Sequence, residues 1–165
     1  MAKVLIIGYG NPGRLDDGLG PALAEIMEKM QLDDVKVDAN YQLTVEDASE
    51  VAEHDVVVFA DAAIAGEGPY WVKRIYPGGR TGGFSTHSLD PYSVLGLAKE
   101  LFQAEPRSYL MGIRGYEFDE FGERLSEAAL ENLAGAVDYL EKAIRQGEFR
   151  EVRRAEADAV APEPK

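Results

Sequence analysis

Apolar and polar positions alternate in blocks along this chain, and the period of each block identifies an element. Lys3–Gly8 (KVLIIG) is a continuous apolar run stopped by glycine, the pattern of a strand buried on both faces. Residues 8–20 form a loop with five glycines and one proline. Pro21–Met30 places Leu23, Ile26, Met27 and Met30 at helical spacing. Asp16 and Asp17 stand before it as N-cap candidates, and Pro21 suits a first turn. Val35–Asp38 predicts a short second strand. Val45–Ala52 predicts a helix with Thr44 as cap and Asp47 three residues on, a weakened capping box. Asp55–Asp61 (DVVVFAD) is the clearest strand, β-branched and central in character. Tyr70–Tyr76 alternates and reads as an edge strand, followed by a glycine-rich turn at Gly78–Gly83. Pro91–Phe102 and Ser126–Ile144 read as amphipathic helices, with the strand Ser108–Ile113 between them.

Strands alternating with helices predict a three-layer α/β sandwich. Its sheet is mostly parallel and twisted, with about five strands flanked by helices, of the phosphorylase/hydrolase-like kind. Residues 1–146 form a single domain. From 147 to 165 the chain is rich in Arg, Glu, Ala and Pro, with Phe149 and Val152 its last apolar anchors, and a flexible tail is expected. Ligands of such sheets sit beyond the carboxyl ends of the strands. The segments to watch are therefore Gly8–Asp17, Asp38–Gln42, Asp61 and the stretch after Ile113.

Composition narrows the function classes. The 165 residues fit one domain. A net charge of −13 repels phosphate backbones and anionic lipid, which disfavours nucleic-acid and membrane partners. With no cysteine, thiolate nucleophiles, thiolate metal sites and disulfides are excluded. No stretch approaches the ~18 apolar residues of a membrane span, and MAKVLIIGYGNPG reads as a first strand rather than a signal peptide. A cytoplasmic, monomeric protein is expected.

Gly8-Tyr-Gly10-Asn-Pro-Gly13 fits the dinucleotide fingerprint G-x-G-x-x-G, with Asp38 near the place of a ribose-binding acid. That motif starts its helix inside the glycine triplet. Here this would bury Gly18, Gly20 and Pro21 in a helix interior, where proline alone costs ~3 kcal/mol. It would also set Asp16 and Asp17 against a pyrophosphate. A helix starting near Asp17 fits better. Three polar groups map to one rim of the sheet: Asp17, Asp61 and His87, the last just before the Pro91 helix. Read singly they are a cap, a turn former and a surface histidine. Together, two carboxylates and an imidazole suit a borderline divalent ion such as zinc or nickel better than calcium.

The run Ile7–Pro21 (IGYGNPGRLDDGLGP) resembles the opening of the hydrogenase maturation proteases, the endopeptidases that trim the C-terminus of the [NiFe]-hydrogenase large subunit. Asp61 in VVVFADA, His87 in THSLDP, and Gly112–Gly122 with Leu125-Ser126 match later motifs in the same order. The resemblance covers about residues 3–145. It implies Asp17, Asp61 and His87 as metal-contacting residues, and Asp38 as the acid ending strand two. Glutamate is common where this chain has Asp17. Ala39–Leu43 departs from the glycine- and threonine-containing stretch usual after strand two, and Glu123-Arg124 replaces the usual glycine-containing pair.

The implied reaction is hydrolysis of the C-terminal peptide of a nickel-loaded large-subunit precursor. The nickel is carried by the substrate, and zinc or another divalent ion is an alternative at the same site. Water is polarised by metal or activated by a carboxylate, with Asp17 and Asp38 as the catalytic candidates. A non-catalytic, nickel-dependent binding or chaperone paralogue is the alternative of a different class. Gly8–Gly13 also fits the opening of the peptidyl-tRNA hydrolases. That family then needs a histidine-asparagine pair where this chain has Asp16-Asp17, and the acidic charge argues against a tRNA substrate.

Overall fold

The computed structural model describes residues 2–78 and 89–153. Five strands form one sheet in the order β2-β1-β3-β5-β4: β1 (Val4–Tyr9), β2 (Val35–Asn40), β3 (Val56–Ala63), β4 (Tyr70–Ile75) and β5 (Arg107–Arg114). Every pairing is parallel except that of β4 with β5. The α/β sandwich expected from the sequence is therefore present, with Asp55–Asp61 central and Tyr70–Tyr76 at an edge.

Strand alternation divides the core in two. Val4, Ile6, Val58, Met111 and Ile113 pack under α1 (Leu19–Lys29) and α4 (Glu127–Gln146). Leu5, Ile7, Val57 and Phe59 pack under α2 (Asp47–Ala52) and α3 (Pro91–Phe102). Many of these side chains are fully buried, at about 1.5–3 kcal/mol each for apolar burial. Three strands thus have two apolar faces, which is why their sequences read as continuous apolar runs.

Several local expectations are met in part. Asp47 reaches back to the Thr44 amide (2.9 Å), but α2 begins at Asp47, two residues later than expected, and its N-cap is Glu46 rather than Thr44. The expected helix Pro91–Phe102 is α3, with Pro91 in the first turn; its cap, not foreseen, is Asp90, which accepts from Ser93 N (2.7 Å). The glycine-rich turn lies outside the described residues from 79 onward. His54, just before β3, is half-buried, with its Nδ1 against the Glu50 carbonyl (2.7 Å). The tail expected from 147 is packed as far as 153: Phe149 stacks on Tyr109, and Val152 exchanges two backbone hydrogen bonds with Val72 at the outer edge of β4. Two apolar anchors suffice because each meets a prepared partner. Residues 154–165 lie outside the described set.

The loop after β1 departs most from expectation. A 3-10 turn (Leu15–Gly18) precedes α1, whose N-cap is Gly18, with no side-chain cap. Neither Asp16 nor Asp17 caps the helix. Asp16 is fully buried, and both its oxygens are filled from a distant part of the chain. Oδ2 accepts from Tyr116 N (2.8 Å), Glu117 N (3.0 Å) and Ser126 Oγ (2.7 Å), and Oδ1 from Ser126 N (2.8 Å). Gly122 exchanges backbone hydrogen bonds with Gly13 and Leu15 beside it. The loop after β1 is thereby laced to the connection between β5 and α4.

Burial alone would raise the Asp16 carboxyl. The donors on Ser126, Tyr116 and Glu117 overcome this and hold it below the usual carboxylate range. A depressed folded-state value adds stability above the unfolded value of 3.8, and that stability is lost as pH falls through the folded value. Asp16→Asn is therefore expected to cost roughly 2–4 kcal/mol at pH 7, since buried donors lose a charged acceptor. The variant should also lose less further stability than wild type between pH 5 and pH 2. Urea unfolding across that range checks both; an equal loss on acidification in the two proteins would contradict the assignment.

Candidate functional site

Register builds the site at the carboxyl rim. Tyr9 stands opposite Asn40. Gly8 pairs with Ala60, so Tyr9 and Asp61 are neighbours at the next step. Asp61 stands opposite Gly112, and Gly112 opposite Trp71. Alternation turns the side chains of this row to the α2/α3 face. Gly112 is required here: a Cβ would lie 2.3 Å from the Trp71 indole, which covers that position beside Asp61.

Two glycines let α1 press its amino end onto this rim. A Cβ on Gly20 would lie 2.3 Å from the Tyr9 carbonyl oxygen and 2.6 Å from that of Ala60. Gly10 has φ +143°, and a Cβ there would stand 2.2 Å from the Asp17 carbonyl oxygen. The close approach carries Asp17 over the strand ends. Its Oδ2 accepts from Asn11 N (2.9 Å), while Asn11 Oδ1 accepts from Gly13 N (2.8 Å).

Asp61 Oδ1 accepts from Ala62 N (2.8 Å), and the Tyr9 hydroxyl donates to the same carboxylate. Burial raises the Asp61 carboxyl to about 6; the Asp17 charge adds to the rise, while the Ala62 amide and Tyr9 hydroxyl oppose it. Burial and the Asp61 charge push the Tyr9 hydroxyl far up, with smaller contributions from Asp90 and Tyr92. Tyr9 is thus a hydrogen-bond donor at any physiological pH. Asp61 and Asp90 set a negative field around one phenol at the mouth of the sheet.

The structure sets Asp61 where it feels the Asp17 charge. It sets Asp38 apart, two strands and two residues from Asp61, ~12 Å by strand geometry. Burial raises the Asp38 carboxyl; Lys36 offsets this in part, and Glu50 adds to it. His87 lies outside the described residues. Among the described residues no group of three His, Cys, Asp or Glu side chains is placed to hold a metal ion. The carboxylate pair supplies two hard donors on one side of an open rim, a fit for a cation that brings or finds further ligands.

Sequence reasoning missed Asp16, Tyr9 and Asp90. Asp90 had a readable signal, an acid directly before a proline-led helix. Tyr9 and Asp16 had none at the level of pattern.

A raised folded-state carboxyl adds stability below its unfolded value, 3.8, and that stability is lost as pH rises through about 6. At pH 7 the ionised Asp61 is therefore a cost. Asp61→Asn keeps the shape and removes the charge, so its melting temperature should match wild type near pH 4 and exceed it above pH 6. Calorimetry from pH 4 to pH 8 checks this; a variant less stable than wild type at pH 7 would overturn the electrostatic account.

No protein-family model matches the chain, and neither does any curated protein. Solved structures do. A [NiFe] hydrogenase maturation protease HycI from Thermococcus kodakarensis is 24% identical, with TM-score 0.67 over 87% of this chain and 93% of that one. The hydrogenase maturating endopeptidase HybD from E. coli is 21% identical, with TM-score 0.69 over 93% and 99%. The hydrogenase 3 maturation protease is 17% identical, with TM-score 0.63 over 92% and 97%. The fold of this chain is that of the hydrogenase maturation proteases.

Proposed function

We propose that the chain is an endopeptidase that removes the C-terminal peptide of a nickel-loaded [NiFe]-hydrogenase large-subunit precursor. The observation that carries this reading is the placing of Asp61 in the field of Asp17 at the carboxyl rim, on a scaffold like that of proteins named as hydrogenase maturation proteases. Peptide hydrolysis needs a group that takes a proton from water and one that returns it to the leaving amine. A carboxyl near 6 exchanges protons close to neutral pH, which suits Asp61 to that traffic. Asp17, held by Asn11 N, is the carboxylate we assign to the attacking water.

The nickel belongs to the substrate. Asp17 and Asp61, with His87 as the imidazole of the set, offer it hard donors from one side, and the precursor's own ligands hold it from the other. An empty precursor presents no cation to relieve the repulsion between the two carboxylates, so nickel insertion is checked before the tail is cut. Asp38, two strands and two residues from Asp61, is assigned no step in this reading. A cytoplasmic site of action follows from the substrate, which must be trimmed where nickel is inserted.

The test incubates the enzyme with nickel-loaded and nickel-free precursor and follows tail release by mass. Cleavage of the loaded form alone is expected. Asp17→Asn and Asp61→Asn should each lower the rate by about 10²-fold or more, with folding retained. Equal cleavage of both precursor forms would remove the nickel-sensing role. Full activity in both variants would remove the carboxylate mechanism.

A further inference from the structure

The two edges of the sheet are not alike. The outer edge of β4 is paired with the chain's own Val152, through Val72 N to Val152 O (2.9 Å) and Val152 N to Val72 O (2.8 Å). Along the outer edge of β2, no described residue pairs. Gly10 N donates to Asn40 O and Val4 N to Asp34 O, so the even-numbered residues of β2 turn their amides and carbonyls toward β1. Val35, Val37 and Ala39 therefore turn theirs outward.

A groove of about 630 Å³ runs beside this edge, lined by Pro12, Gly18, Pro21, Glu25, Val37 and Ala39. A second, of about 520 Å³, continues down the strand past Met27, Leu32 and Val35, and shares Glu28 and Val37 with the first. The floor is apolar and the walls carry Glu25, Glu28 and Glu123. Of the nearby cations, Lys36 pairs with Glu50 (2.7 Å), Arg124 leans toward Glu117 (3.9 Å), and Lys29 pairs with the groove's own Glu25 (3.6 Å), so the charge offered to a guest rests on Glu28 and Glu123. The groove also borders Pro12 and Gly18, the loop that carries Asp17.

We propose that the outer edge of β2 binds an extended, basic peptide segment of the substrate as an added strand. Residues 35–40 offer ~20 Å of edge, with three outward residues to pair. Alternate side chains of the guest lie over Val37 and Ala39, and its basic groups meet Glu28. A strand laid beside β2 ends at the rim where Tyr9 and Asp61 stand, so the edge delivers the chain to the site. The inference rests on the protease reading and names how its substrate is held.

Ala39→Pro removes one outward amide and none that pairs with β1. Glu28→Lys reverses an exposed charge of the groove. With nickel-loaded precursor, each variant should raise KM for tail release, about tenfold for Ala39→Pro and several-fold for Glu28→Lys, with kcat within about twofold of wild type. The Glu28→Lys effect should shrink at high salt. Melting temperatures establish that the variants fold; if Ala39→Pro does not, Glu28→Lys decides alone. Unchanged KM in the folded variants overturns the edge site and leaves the protease reading standing. No tail release by the wild type overturns both.

Discussion

A buried carboxylate holds this molecule's working end together. Asp16 has no contact with solvent and accepts four hydrogen bonds from the connection between β5 and α4. Ionised and unpaired, such a group would cost several kcal/mol. Its four donors turn that cost into a constraint, because only one path of the loop after β1 satisfies them all. Asp17 is the next residue in the same 3-10 turn, so its side chain is aimed elsewhere. Two adjacent acids thus divide the labour: one fixes the loop to the scaffold, and the other is presented at the strand ends.

The remaining constraint is steric. Gly8, Gly10 and Gly20 let α1 begin almost in contact with the ends of β1 and β3, and any side chain at these positions would collide with backbone. Because backbone cannot yield as a flexible side chain can, the distance between Asp17 and the strand ends is set by the scaffold. Gly112 serves the same end across the sheet by admitting the Trp71 ring. Asp61 is therefore walled by apolar and aromatic surface on one side and faces Asp17 on the other. Its raised carboxyl follows from that enclosure first and from its neighbour second.

Much of this was legible in the sequence. Strands buried on both faces write themselves as apolar runs, so β1 and β3 and their order in an α/β sandwich could be read directly. The rim followed from topology, and the order of motifs along the chain picked out Asp17 and Asp61. What could not be read was which acid of Asp16-Asp17 faces inward, because a 3-10 turn has no apolar period to orient it. Local pattern suggested two caps; the true partner of Asp16 lies about a hundred residues away, and Ser126 shows no mark of it beyond being a good N-cap. The anchoring of Phe149 and Val152 was hidden likewise, since it depends on the Tyr109 ring and the outer backbone edge of Val72, both far away in sequence. Asp38 shows the limit of topology: a strand's carboxyl end is several residues deep, and register decides which residue of β2 reaches the level of Tyr9. Asn40 does.

The electrostatics of the rim link scaffold to chemistry. Asp17 and Asp61 repel each other, and burial deepens the cost for Asp61 because little water screens it. A protein selected only for stability would replace one of them with an amide, which keeps the shape and drops the repulsion. The folded chain instead holds the two charges close, using hydrogen bonds from Asn11, Ala62 and Tyr9 that fix orientation. Such an arrangement is relieved by a proton or by a cation. A proton does so only as the solution approaches the acid side of about 6. Near neutral pH the relief must come from outside the protein; in the function proposed above, it comes from the metal of a partner docked at the strand ends. Under that proposal, the repulsion that lowers the stability of the free protein is the same interaction that would tell a loaded partner from an empty one.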